Sequence, residues 1–336
     1  MTATNYAAAA AFAAVAVAIG SKSASVWPAA LQGFLEKSVG TASAPQVQAS
    51  ITTLLVAAVG YLGLSLKRMF TISKPKIPDF VTPLQGNPED AIELVDYAGR
   101  AGMAGSISPY VSKIHAFLVF AKLPYTTKRV SSPEAGPKDK LPFIHHGPNV
   151  VPDTAFIMAY LRNTYGKGKK DLILGPVTDE QRAKIEAYIA LIETSLPFGM
   201  AYYRLLHPQG AARLPKFFGE MGVPGPMQGI VGALVKAKMS KIFIAGGMGR
   251  HSQQDLDWLV QKDLRCMSTL LGNQPYLLGK EPSEADATLF GLLDVLLYDG
   301  LLGEPMVDMV KKHDNLVKYT ARIRKTFFAD KLKEHL

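Results

Sequence analysis

The 336-residue chain contains one cysteine, Cys266. A single thiol excludes an intrachain disulfide, a Cys-x-x-Cys redox pair and a cysteine-based zinc site. Its setting, Asp263-Leu264-Arg265-Cys266-Met267, reads as amphipathic helix, where a buried, inert thiol is expected. Charge is also scarce: 19% of residues are Asp, Glu, Lys or Arg, against about 25% in an average globular chain. No His-Glu-x-x-His pair occurs, and His145 and His146, adjacent on one strand, point to opposite faces and cannot chelate one ion; no metal is expected. Gly246-Gly247-Met248-Gly249-Arg250 lacks the Lys-Ser/Thr of a phosphate-binding loop. No basic–aromatic stripe marks a nucleic-acid surface, so no nucleic-acid partner is expected. Long uncharged runs are too few for a polytopic membrane protein. The hydrophobic fraction of 48% excludes disorder, and the length allows two domains at ~100–200 residues each.

Acid is nearly missing from the first part of the chain. Residues 1–78 hold Lys22, Lys37, Lys67, Arg68, Lys74 and Lys76 against Glu36 alone, so +5 of the net charge of +9 belongs to this arm. The net charge therefore describes an arm, not a binding face on a folded domain. Residues 1–46 are alanine-rich and contain the run AAAAAFAAVAVAI at 7–19. No Lys or Arg precedes that run, unlike a secretory signal, while the acid-poor, Ser/Thr-containing start partly suits a targeting segment. Residues 47–68 are better suited to a membrane. Ile51–Leu66 reads ITTLLVAAVGYLGLSL, apolar on all sides, and Lys67-Arg68 ends it abruptly. About 20 residues at 1.5 Å each cross ~30 Å of hydrocarbon. A single span with a lipid bilayer as partner is expected, with the large C-terminal part on the cytoplasmic-type side. The alternative is a buried helix of a soluble core. Residues 69–89, with Lys74-Pro75-Lys76-Ile77-Pro78, form a stiff basic linker near anionic headgroups.

Residues 90–166 form a first folded unit. Ala91–Tyr97 suits a strand, and Ala98–Ser106 a Gly/Ala-rich loop. Ser108-Pro109 opens a helix, serine as N-cap and proline at the first helical position, with Ile114, Phe117, Leu118 and Ala121 at helical spacing. Leu123-Pro124-Tyr125 ends it; Thr126–Val130 is a second strand. A third begins at Leu141-Pro142-Phe143-Ile144, turns at His146-Gly147-Pro148-Asn149 and returns over Asn149–Val151. Thr154–Tyr165 is helical. The order βαβ then ββα fits a thioredoxin-type fold.

Residues 178–330 are helical by periodicity, opening on the capping-box pattern Thr178-Asp179-Glu180-Gln181. Gln181–Phe198 and Asp255–Leu271 carry apolar residues at spacings of three and four. Between them, 207–250 is Pro/Gly-rich around an amphipathic segment, Ile230–Phe243, and is too long for a simple connection; it reads as a partly helical insertion. Ser283-Glu284-Ala285-Asp286 precedes the apolar helix Ala287–Leu297. Ser283 caps it and Asp286 reaches back to the Ser283 N–H, a folding role rather than a catalytic one.

Several motifs carry a resemblance. Ser108-Pro109-Tyr110-Val111 resembles the glutaredoxin tetrad Cys-Pro-Tyr-Cys with both cysteines replaced. Leu141-Pro142 resembles the cis-proline step of thioredoxin folds, and Asp153-Thr154 the acidic–hydroxyl pair of glutathione transferases. Ser283–Asp286 resembles the N-capping box of their helical domain. Gly247–Leu293, with Gly272-Asn273-Gln274-Pro275-Tyr276, Asp314-Asn315-Leu316, Arg322-Ile323-Arg324 and Phe327-Phe328, is similar to the failed-axon-connections branch of the glutathione transferase superfamily, which is related to metaxins. The resemblance covers residues 90–330. It implies an α+β thioredoxin-like N-terminal domain followed by an all-α glutathione-transferase C-terminal domain, here preceded by the anchor helix.

The resemblance also implies a site. A hydroxyl at the start of the first helix supports the glutathione sulfur, because a thiol with a pKa of about 8.5 must ionise near pH 7; a hydroxyl donor and a helix N-terminus stabilise the anion. Ser108 has that position, and Tyr110 is a second donor candidate. The Leu141 backbone, before Pro142, would pair with the cysteinyl part of glutathione, and Asp153 and Thr154 would hold the γ-glutamyl end. Alternatively Ser108 and Thr154 are helix caps only. Without cysteine in the tetrad, glutaredoxin-like thiol transfer is excluded, and the long Ala98–Ser106 loop leaves room for Ser108 to be displaced. Two functions remain open. One is a membrane-anchored glutathione transferase-like protein with weak or lost transferase activity. The other is a non-catalytic accessory subunit of an organellar, mitochondrial-type membrane complex, with protein partners or a homodimer.

Overall fold

The computed structural model describes residues 85–97, 103–130, 136–168, 170–220, 223, 225–300 and 304–333. The alanine-rich arm, the span expected at 47–68 and the linker up to residue 84 lie outside them. Among the described residues no helix is long and apolar enough to cross a membrane.

The first unit is a four-stranded mixed sheet with two helices. Strand β1 (Ile92–Tyr97) pairs in parallel with β2 (Tyr125–Val130) and antiparallel with β3 (Phe143–His146), which pairs antiparallel with β4 (Asn149–Pro152), in the order β2-β1-β3-β4. The parallel pair needs a crossover, supplied by α1 (Pro109–Phe120). Helix α2 (Thr154–Tyr165) follows β4. This is the expected thioredoxin-like arrangement. His146 is buried and ties β3 to α2: its Nδ1 lies 2.8 Å from the Tyr160 hydroxyl and its Nε2 2.9 Å from that of Tyr165. His145, one residue earlier, is half-buried with its ring against Phe143.

The second unit is helical: α3 (Asp179–Thr194), α4 (Leu196–Leu205), α5 (Pro208–Ala211), α6 (Leu214–Glu220), α7 (Gly225–Ala245), a 3-10 turn at Met248–Arg250, α8 (Gln253–Leu271), α9 (Glu284–Tyr298), α10 (Glu304–Lys311), α11 (Asp314–Phe327) and α12 (Ala329–Lys333). The box at Thr178 is formed: its side chain accepts from the Gln181 N–H, and the Gln181 side chain accepts from the Thr178 N–H. The apolar helix expected from Ala287 starts at Glu284, because Ser283 is the cap and the three residues after it already belong to the first turn. The expected insertion is almost wholly helical, since α5, α6, α7 and the 3-10 turn fill it. Cys266 is half-buried on α8 rather than buried.

Helix α9 is the central element. All but its last two residues are buried, as expected of a helix that is apolar on every side. It packs on α1 of the first unit, and Gly291 is where the two backbones meet. At its N-terminus, the Asp286 carboxylate accepts from the Ser283 N–H (2.9 Å) and hydroxyl (2.7 Å), the Leu277 N–H (2.9 Å) and the Tyr319 hydroxyl (3.0 Å). Burial still pushes its pKa up to about 6, against these hydrogen bonds. An unfolded aspartate ionises near 4. Between these values the native state holds a proton that the unfolded state has lost, so stability falls as pH rises from about 4 to about 6. The expected loss is about 3 kcal/mol, read as a falling urea midpoint across that window. Asp286→Asn should lack this component of the slope, and a wild-type midpoint that rises over the same window contradicts the assignment.

Candidate functional site

The site sits where α1, the β3 approach and α2 begin. Ser108 is the N-cap of α1, with extended backbone (φ −99°, ψ 126°), and Pro109 follows at the first helical position. Its side chain makes no capping hydrogen bond, so capping does not account for its hydroxyl. One turn on, Val111 packs in a small buried cluster with Val95, Leu141 and Phe143. That cluster brings the start of α1 against the Leu141–Pro142 step, whose peptide bond is cis.

The Asp153 N–H donates to the Pro142 carbonyl at 3.4 Å, joining the third component to the second. Asp153 has φ +74°, a conformation that side-chain-bearing residues seldom adopt. It caps α2, its carboxylate accepting from the Ala155 N–H at 3.1 Å. Asp153 itself is exposed, while Thr154, the first residue of α2, is largely buried. Ser108, Tyr110, Leu141, Pro142, Asp153 and Thr154 thus belong to three chain segments gathered at one end of the sheet. Ser283 and Asp286 are not among them; they cap α9.

Tyr110 lies in the first turn of α1 with 38% of its surface exposed. Its pKa is pushed up to about 12 by burial first, then by the negative charges of Glu193 and Asp153. The phenol therefore stays protonated across the physiological range and can donate a hydrogen bond but not act as a base. Glu193 is in turn held by Lys113, whose buried Nζ lies 2.9 Å from it.

The segment just before Ser108 is anchored. Ser106 is buried, and its hydroxyl donates to Asp96 on β1 at 2.6 Å. The Ser106 N–H donates to the Ser112 hydroxyl (2.8 Å), which donates back to the Ser106 carbonyl (2.9 Å). The other Asp96 oxygen meets His115 Nε2 at 3.1 Å, and His115 Nδ1 meets the Tyr125 hydroxyl at 2.8 Å. An Nε2–H donating to Asp96 fits the first contact, and the Tyr125 hydroxyl shares the second with Nδ1. From the helical side, buried Asp294 of α9 accepts from the Ala104 N–H at 3.2 Å and pairs with Arg324. The start of α1 is therefore fixed from the sheet and from the second unit.

The motifs did not reveal this support. Its one signal was polar residues inside apolar runs: Asp96 between Val95 and Tyr97, and Lys113 and His115 in α1. Chemically, the site offers a hydroxyl at a helix N-terminus and a carboxylate beside a second helix start. That suits an anion, such as a thiolate, together with an ammonium group. Among the described residues no group of three or more His, Cys, Asp or Glu is placed to hold a metal ion.

Residues 109–210 match the family model described as the glutathione S-transferase N-terminal domain, and residues 260–323 match the model of the C-terminal domain. Metaxin-2 of Homo sapiens is 26% identical over 224 residues, covering 66% of this chain and 83% of that protein. Failed axon connections of Drosophila melanogaster is 26% identical over 253 residues, covering 72% of this chain and 59% of that protein. Isoprene-epoxide–glutathione S-transferase of Rhodococcus sp. is 27% identical over 230 residues, covering 66% and 93%. With both domain models matched in order around the geometry above, the chain carries glutathione S-transferase N- and C-terminal domains and is a homologue of metaxin-2 and failed axon connections.

Proposed function

We propose that the chain binds glutathione where α1, the Leu141–Pro142 step and α2 meet, with weak or no transferase turnover. The observation that carries this reading is the Ser108 hydroxyl, which starts α1 without serving as its cap and is drawn to the cis-proline step by the Val111–Leu141 packing. Ser108 supports the sulfur, with Tyr110 as a second donor. The Leu141 backbone pairs with the cysteinyl residue, and Asp153 and Thr154 hold the γ-glutamyl amine and carboxylate. The name of the Rhodococcus relative, an isoprene-epoxide–glutathione S-transferase, supports glutathione as the ligand. A serine in place of a tetrad cysteine limits the chemistry to thiolate stabilisation. An organellar, mitochondrial-type membrane reached through residues 47–68 completes the reading, and it rests on sequence alone.

Calorimetric titration of the full-length chain in detergent with glutathione tests it. Binding is expected, and Asp153→Ala should weaken it about ten- to hundred-fold, the worth of one hydrogen bond to a charged group, about 1.5–3 kcal/mol. Ser108→Ala should leave affinity nearly intact at pH 6 but raise the pKa of the bound thiol, followed by thiolate absorbance. Absence of heat at millimolar glutathione sinks this reading and leaves the second, a non-catalytic interaction module.

A further inference from the structure

Helix α7 (Gly225–Ala245, GPMQGIVGALVKAKMSKIFIA) differs from the other surface helices in what it shows to solvent. An ordinary surface helix turns its apolar stripe inward and its polar face to water. In α7 the inner side is apolar, with Phe243 buried against Phe198 and Tyr202 of α4. Its outward side is largely apolar as well. Ile230, Ala233, Ala237 and Ile244 are all exposed and fall at steps of three, four and seven, on one face, with exposed Lys241 at the edge of that face, four residues after Ala237. Ile230 is 39% exposed and Ile244 54%. The amphipathic pattern expected for Ile230–Phe243 is therefore absent: apolar residues run round the helix, and its charge is lysine.

The charge supplies the second observation. No acidic residue occurs between Glu220 and Asp255, while Lys236, Lys238, Lys241 and Arg250 do. Lys236 and Lys238 are exposed and lie on either flank of the Ile230–Ile244 stripe. Long lysine stems can lie along an apolar surface with their ammonium groups lifted to its edge. A helix about 30 Å long, apolar outward, flanked by lysines and free of acid has the composition of one that lies in the plane of a membrane interface. With three lysines α7 does not qualify as a span.

We infer that α7 is a monotopic membrane-contact element. It lies flat on a bilayer rich in anionic phospholipid, Ile230 and Ile244 entering the headgroup–acyl boundary and Lys236 and Lys238 meeting lipid phosphates. This contact is separate from the span expected at 47–68 and from glutathione binding, and it gives the insertion a role: it sets which face of the helical unit rests on the membrane.

The test must report on α7 alone, because residues 47–68 can hold the full chain on vesicles by themselves. In the full-length Cys266→Ser chain, a cysteine placed by Ile244→Cys carries an environment-sensitive fluorophore, and Thr127→Cys on the exposed edge strand β2 serves as the control. Phosphatidylcholine vesicles with phosphatidylserine should raise emission at 244 several-fold and leave 127 unchanged; nitroxide-bearing lipid should quench only the former. Each lysine near an anionic surface is worth roughly five-fold in affinity. Lys236→Gln/Lys238→Gln should therefore need roughly 25-fold more lipid for the same signal. No rise at 244, even where the chain cosediments with the vesicles, overturns the inference. High emission at 244 before vesicles are added does so too, since it means that protein covers this face. An equal response to phosphatidylcholine alone removes the anionic-lipid assignment.

Discussion

Gly291→Ala is expected to destabilise the protein by about 2–3 kcal/mol, although alanine is the better helix former. Position 291 lies inside α9, where glycine forgoes about 1 kcal/mol of helix propensity relative to alanine. Taken alone, that predicts a stabilising substitution. Against it stands the position of α1. A Cβ on residue 291 would lie 2.5 Å from the Lys113 nitrogen, 2.7 Å from the Lys113 Cα and 3.0 Å from the Pro109 carbonyl oxygen. All three are backbone atoms, so no rotamer change relieves the contact. The helices must separate by about 1 Å, losing dispersion contacts along a well-packed interface. Pro109 and Lys113 belong to the helix that Ser108 begins, so the displacement reaches the candidate site. Gly291→Val should cost more, on the order of 4 kcal/mol, and should weaken glutathione binding without touching a residue that contacts the ligand. The check is urea unfolding of wild type, G291A and G291V. A midpoint for G291A above that of wild type would mean that propensity outweighs the close approach.

Gly291 also marks the limit of what the sequence discloses. Local signals were legible. The run Thr154–Tyr165 gives the bounds of α2, because an apolar repeat is a local feature, although its cap is Asp153 rather than Thr154. Ser108-Pro109 places the start of α1, and the Thr178 and Ser283 boxes place two more helix starts. The alternation of strand and helix was enough for the thioredoxin-like unit. Contacts between residues far apart in sequence were not legible. Nothing near Gly291 shows that it faces Lys113, and nothing near Asp96 shows that it meets Ser106 and His115. Helix α7 failed for a different reason: a helix apolar on both faces gives no single stripe to read, and only the structure separates the face against α4 from the face in water. The candidate residues of the site were legible as motifs, whereas their support from Asp96, His115 and Asp294 arises from folding together three distant segments.

Glu284→Ala should be the most damaging single change outside the hydrophobic core, at about 3–5 kcal/mol. Glu284 is 0% exposed, in the first turn of α9, one residue after the cap. One carboxylate oxygen accepts from Arg162 of α2 at 2.6 Å and from Arg182 of α3 at 2.8 Å; the other accepts from the Leu172 N–H at 3.1 Å. Its own N–H donates to buried Asp171 at 3.1 Å, which also accepts from Ile173 (2.9 Å) and Leu174 (2.7 Å). One side chain thus joins the first unit, the connecting segment and the second unit. Removing it leaves two largely buried guanidinium groups without their shared anion and one backbone donor unpaired, and each loss carries a desolvation penalty. Asp171, whose pKa is raised by burial and by the Glu284 charge, gains slightly when that charge goes, too little to offset the rest. Glu284→Gln keeps the shape and one acceptor and should lose about half as much, since hydrogen bonds to a charged group are worth about twice neutral ones. Arg162→Met should lose less than Glu284→Ala, because Arg182 still meets the carboxylate. In the double variant Arg162→Met/Glu284→Ala the losses should fall short of additive by at least about 1 kcal/mol, as expected of partners in one network. Because the carboxylate is buried, the loss should persist in high salt. A loss that vanishes in molar salt would reduce Glu284 to a surface ion pair and remove it as a buried link between the two units.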